Sequence, residues 1–161
     1  MRLTCVALLF AGAMLAAPPP CTPPLEVRDL FESEEWKALY KLPWAEQSAR
    51  RWKLLAQYEM RFPSQPEIAS RTIDNARWSD PDVAEGVRAR YLKAAQDHPD
   101  DPFAQAAAGY ALFRRNTPLG IEFLQRAAAA PGFGWPHLTL AQVYDSDRFA
   151  DKPRALAELD A

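Results

Sequence analysis

The sequence predicts an all-α protein built of antiparallel helical hairpins stacked on one another, and three observations predict it. Helix-forming Ala, Leu, Glu, Arg and Gln are plentiful, while β-branched residues are too few and scattered for strand runs. Apolar residues recur with a helical rather than an alternating period. Residues 101–131, DPFAQAAAGYALFRRNTPLGIEFLQRAAAAP, read as one whole hairpin. Its first arm, residues 103–115, carries Ala107, Ala108, Ala111 and Leu112 as a stripe of mostly small side chains. Its second, residues 119–129, carries Ile121, Leu124 and Ala128 at i, i+3, i+7. Asn116-Thr117-Pro118 separates the arms, because proline has no N–H to give and Asn and Thr suit turns and caps. Small residues on one arm let the other backbone come close.

The 161 residues suit a single domain able to bury a core, and 48% apolar with 25% charged is globular usage. A net charge of −2 argues against nucleic-acid binding through bulk charge. The cysteines are Cys5 and Cys21, with no C-x-x-C and no His/Cys cluster, so neither a thioredoxin-like redox pair nor a zinc site is expected.

In chain order, residues 1–17, MRLTCVALLFAGAMLAA, have one positive charge at Arg2, an apolar run and small residues at the end. That is the form of a short secretory signal peptide, too short for a confident membrane span. The expected location is therefore outside the cytosol, periplasmic or secreted, with membrane contact only through this leader or an N-terminal anchor. Residues 18–25 begin PPPCTPP and read as an extended, polyproline-type linker with Cys21 in an inert tether.

Residues 26–80 form an N-terminal helical region. Leu30, Phe31, Leu39 and Tyr40 fall near helical spacing, Ser33 can cap a start before Trp36, and Pro43 stops that segment. A second helix follows from Trp44, with Trp52, Leu55 and Phe62 on one side. Trp36, Trp44 and Trp52 are equally spaced at about two helical turns, and core packing is favoured over a ligand-stacking row. Arg50, Arg51 and Lys53 lie near Glu46 and Glu59, which predicts a solvated, salt-bridged face. A short helix with Ile68, Ile73 and Ala76 precedes Asp80-Pro81-Asp82, a helix start with cap, first-turn proline and acidic first turn. From there Val83, Val87, Tyr91 and Ala94 follow helical spacing to His98-Pro99.

Residues 81–161 resemble the tetratricopeptide repeat (TPR), a helix–turn–helix unit of about 34 residues with small residues where helices cross and a closing proline. Val87, Tyr91, Ala94 and Pro99 fit its second helix. Gly109 and Leu112, then Gly120, Leu124, Ala127 and Pro131, fit the next unit, and Leu140, Ala141, Tyr144, Ala155 and Leu159 a third. The resemblance implies a short TPR-like α-solenoid of degenerate repeats, the last one incomplete and uncapped, with Leu156 and Leu159 on an unfinished apolar edge.

No catalytic signature is present. G-x-S-x-G, Walker and dinucleotide motifs are missing. His98 and His137 each follow or precede proline without a helix-spaced second ligand, so they read as turn and helix-start residues. Asp97, Asp100 and Asp101 read as caps, and Asp145-Ser146-Asp147 lacks the later glycine and glutamate of a calcium loop. No metal, no cofactor and no enzymatic activity are expected.

What remains is a surface. The resemblance implies that the concave face, lined by the first helix of each unit, binds a protein or peptide partner. On this chain it would carry Phe103, Tyr110, Phe113 and Arg114 from one unit and Trp135, Leu138, Gln142 and Asp145 from the next. Packing of Phe113 and Trp135 against the neighbouring unit is the competing reading. The expectation is an exported helical-repeat module for protein–protein interaction, with self-association through the unfinished end. The alternative is the N-terminal accessory domain of a longer exported enzyme, such as a thiol oxidoreductase or peptidase.

Overall fold

The computed structural model describes residues 23–113, 117–146 and 148–161, and every regular element among them is helical. The leader read in residues 1–17 lies outside the described residues, as do Arg114 and the first part of the linker. The helices are α1 (Leu25–Glu32), α2 (Glu34–Leu39), α3 (Trp44–Arg61), α4 (Pro66–Arg77), α5 (Pro81–Asp97), α6 (Pro102–Leu112), α7 (Thr117–Ala128), α8 (Gly134–Asp145) and α9 (Lys152–Leu159). Leu25, expected to close the linker, opens α1 instead.

Helix starts follow local chemistry. Ser33 Oγ accepts from the Trp36 N–H at 3.0 Å, Asp80 Oδ1 from Asp82 at 2.9 Å, and Asp101 Oδ1 from Phe103 at 2.9 Å. Pro66, Pro81, Pro102 and Pro153 occupy first turns, where the missing N–H costs nothing. α9 departs from the expectation of an uncapped helix: Asp151 Oδ1 accepts from the Arg154 N–H at 3.2 Å.

Consecutive helices pack on one another from α1 to α9, and α4, α6 and α8 also touch across the hairpins between them. Three hairpins (α4–α5, α6–α7, α8–α9) are thus stacked, with their first helices side by side. α6 is the centre of the stack, and all its residues except Pro102 and Tyr110 are buried. Phe103, Ala106, Ala107 and Ala111 join Ala69 and Ile73 of α4, Tyr91, Ala127 and Phe133 in one cluster. Ala104, Ala108 and Leu112 face a second cluster with Ala95 and Phe123. Two further clusters lie toward the ends: Val27, Leu30, Trp36, Leu39, Leu55 and Ile68 at one, and Leu124, Leu140, Tyr144 and Ala155 at the other. The core is serial, each hairpin burying itself against its neighbours, as in repeat architectures.

The closest approach is between α6 and α7. A Cβ on Gly109 would stand 2.6 Å from Leu124 Cγ and 2.9 Å from the Gly120 carbonyl oxygen, and one on Gly120 would stand 2.9 Å from Phe113 Cα. Only hydrogen fits at either position.

The N-terminal region departs from its expectation in part. Trp36 is buried edge-on to Phe31, with centroids 4.9 Å apart, but Trp44 is exposed and donates its indole N–H to the Trp78 carbonyl at 3.1 Å. Trp52 is half-buried and directed at Ser79 Oγ. The three tryptophans therefore form neither a ligand row nor a common core, because Pro43 starts a new helix axis between the first and the second. Val83 is likewise exposed, and α5 buries Tyr91 and Ala95 instead. Arg50 pairs with Glu46 at 2.7 Å, as the charge pattern predicts, but the rest of the expected solvated face differs: Arg51 is half-buried over the Trp36 and Tyr40 rings, and Glu59 turns to Arg90 on α5.

A pair of glycine substitutions checks the close crossing. Gly86 on α5 has nothing within 4 Å of a Cβ, so Gly86→Ala should stabilise by about 0.5–1 kcal/mol through helix propensity alone. Gly109→Ala should destabilise by about 1–3 kcal/mol through overpacking. Urea denaturation of both variants measures this. Stabilisation by both would refute the contact.

Candidate interaction surface

The eight residues expected on the binding face divide into two groups. Phe103, Tyr110, Phe113 and Trp135 form an aromatic seam between α4, α6 and α8. Trp135 lies 5.9 Å from Phe103 and 5.9 Å from Tyr110, centroid to centroid, and Tyr110 lies 5.6 Å from Phe113. α4 closes the seam from the other side: the Tyr110 hydroxyl donates to Asp74 Oδ2 at 3.1 Å, and the Arg77 guanidinium sits over the Phe113 ring at 5.6 Å. Phe103 is only 8% exposed. These four side chains chiefly fasten one hairpin to the next.

Leu138, Gln142 and Asp145 are exposed on α8 and are brought together. With Ala141 they form one wall of a groove whose other wall is α9, through Lys152, Ala155, Leu156 and Leu159. The groove encloses about 440 Å³, and Leu138, Leu156 and Leu159 are 53%, 61% and 56% exposed. Arg114, the eighth residue, lies outside the described residues.

The two groups occupy matching places. Phe103, Ala106, Tyr110 and Phe113 are spaced along the chain as Trp135, Leu138, Gln142 and Asp145 are. On α6 that side of the helix receives α8, with Trp135 against Phe103 and Tyr110. On α8 the corresponding side opens into the groove. The tetratricopeptide resemblance implies one face for both sets, Ala106 apart, but does not tell which stretch of that face a following helix covers. Lys152 and Ala141 were missed as groove residues, although the Leu156/Leu159 spacing was a signal for the α9 wall.

Several ionisable side chains hold one helix to another. His137 Nδ1 lies 2.9 Å from Glu158 Oε2, so His137 ties the first turn of α8 to the last turn of α9 as well as starting a helix. Glu59 on α3 accepts two bonds from Arg90, both 3.0 Å, and one from the Tyr91 hydroxyl at 2.9 Å. Burial, and after it the Glu59 carboxylate, push the Tyr91 hydroxyl well above the ordinary phenol range, so it stays protonated and donating. Among the described residues no three His, Cys, Asp or Glu side chains gather as metal ligands, and no helix is long and apolar enough to cross a membrane. Compared with protein-family models, with curated proteins and with solved structures, the chain finds no match.

The two groups should separate in stability measurements. Trp135→Ala, which strips the seam of a half-buried ring, should cost about 2–3 kcal/mol, at or below the lower limit for truncating a fully buried aromatic. Gln142→Ala and Asp145→Ala, on the open wall, should change stability by less than about 0.5 kcal/mol. Equal costs at all three positions, read from denaturant midpoints, would show that the seam and the groove are not distinct.

Proposed function

We propose that this chain is a TPR-like helical-repeat module that works by binding another protein rather than by catalysis. The observation that carries the reading is the open groove between α8 and α9, an apolar surface of three exposed leucines rimmed by Gln142, Asp145 and Lys152. The tetratricopeptide likeness is supported by Gly109 and Gly120, which meet where that family crosses small residues.

The occupant is an amphipathic helix of the partner, laid in the groove with apolar residues at i, i+3 or i+4, and i+7. This follows from continuity. α8 already covers α7 and the Phe103/Tyr110 side of α6, and the groove is the matching surface one hairpin later. Leu156 and Leu159 offer the apolar contacts, while Asp145 and Lys152 at one end can set the helix direction by charge.

A synthetic peptide of residues 133–146, the chain's own α8, is a suitable probe, titrated into the isotope-labelled full chain and followed by NMR. Weak saturable binding should move the signals of Leu138, Leu156 and Leu159, and Leu156→Asp should cut affinity at least about ten-fold while leaving helicity intact. Absence of shifts at those leucines would sink the helix-in-groove reading. So would a dimer in sedimentation that Leu156→Asp dissociates, because the groove would then be filled by a second copy.

Export completes the proposal and is supported by the apolar leader in residues 1–17. The mature protein should be recovered outside the cytosol with a mass short of about that leader. Full-length mass in the cytosolic fraction alone would contradict it.

A further inference from the structure

A small cavity of about 80 Å³ lies where the end of α4, the first half of α5 and the end of α6 meet. Its walls are aliphatic side chains, Ile73 and Val87 the largest, and two arginines, Arg77 from α4 and Arg88 from α5. Both arginines are mostly covered, with side chains 24% and 16% exposed. Each is held by a carboxylate three residues earlier on its own helix. Arg77 Nη1 lies 3.0 Å from Asp74 Oδ1, and Arg88 Nη1 pairs with Glu85 Oε2. Neither of those carboxylates lines the cavity, so among the described residues its walls carry two positive charges and no negative one.

Stability does not explain this arrangement. Same-helix ion pairs near the surface contribute little, and two guanidiniums brought to one aliphatic cavity repel each other where water screens them poorly. The Phe113 ring beneath Arg77 accounts for where that side chain lies. Arg88 has no such support: among the described residues its bond goes to Glu85, itself 67% exposed. One bond leaves most of the five N–H donors of a guanidinium for another acceptor. The planar fork of arginine matches the oxygens of a phosphate, and two forks from different helices can grip a tetrahedral oxyanion from two sides. The aliphatic walls strengthen that attraction by keeping water out.

We propose that this cavity binds a phosphate group, held between the Arg77 and Arg88 guanidiniums. Glu85 is then the competitor that occupies part of Arg88 until the phosphate arrives, and its exposure lets it turn out to solvent. Bound phosphate joins α4 to α5 through charge-assisted bonds and stabilises the hairpin that carries them. The site is separate from the α8–α9 groove and does not rest on its occupancy.

The test titrates inorganic phosphate, and separately phenyl phosphate, at constant ionic strength into the full chain labelled with nitrogen-15 arginine. The side-chain NMR signals of Arg77 and Arg88 should move together and saturate, while those of Arg61 and Arg126 stay in place. Affinity at least as high for the inorganic ion assigns free phosphate as the ligand; tighter phenyl phosphate assigns a phosphate carried on a larger molecule. Arg88→Gln should weaken binding at least about ten-fold, the loss of a charge-assisted contact. Arg88→Lys keeps the charge without the planar fork and should fall between the two, with circular dichroism unchanged in both variants. Glu85→Gln removes the competitor and should tighten binding about three-fold. Lys93→Gln removes the same charge from an exposed site on α5 and should leave affinity within about two-fold. Unmoved Arg77 and Arg88 signals would overturn the proposal. Equal weakening by Lys93→Gln and Arg88→Gln would do the same, because the attraction would then be that of bulk charge.

Discussion

The crossing of α6 over α7 is the contact on which the rest of the molecule depends. It exists because Gly109 and Gly120 present no side chains to each other, so that Leu124 can come down on the α6 backbone. With α7 that close, the alanines of α6 are enough to exclude water on both sides of the helix. They bury little area each, but they let larger neighbours reach in: Phe123 from one side, Phe133 and Tyr91 from the other. Packing density, not side-chain size, sets the stability of this centre. Spread that crossing by one methyl group and both flanking clusters lose their floor.

Helix starts and the central hairpin were legible in the sequence because they are local, although α6 ends at Leu112 and Thr117 and Pro118, read as part of the break, open α7. Ser33, Asp80 and Asp101 bond to N–H groups within a turn of themselves, so spacing alone is enough to find them. Asp151 escaped because the stretch before α9 carries no clear apolar period to mark a start. The tryptophans were harder: equal spacing suggests a common face only along one axis, and Pro43 divides two axes.

The candidate surface was half legible. The tetratricopeptide resemblance implied Phe103, Tyr110, Trp135 and Leu138 on corresponding sides of two helices. It could not say that α8 would lie on the first set and leave part of the second open, because burial of a helix face is decided by the next element in space. Nor could spacing reveal that Arg77 and Arg88, on different helices, line one cavity. Long-range polar pairs share that difficulty. Glu59 with Arg90 and Tyr91, and Glu26 with Arg61, join helices far apart in the sequence and fasten the N-terminal region onto itself and the repeats.

The serial arrangement of the four clusters bears on how the chain comes apart. Neighbour-only contacts make folding a matter of short loops, so the α6–α7 hairpin can form first and recruit outward. In reverse, the outer hairpins carry fewer partners than the middle and open at lower free energy. Drawn from its two ends, such a molecule would surrender in successive steps rather than in one break, with the last resistance coming from the pair of glycines at its waist.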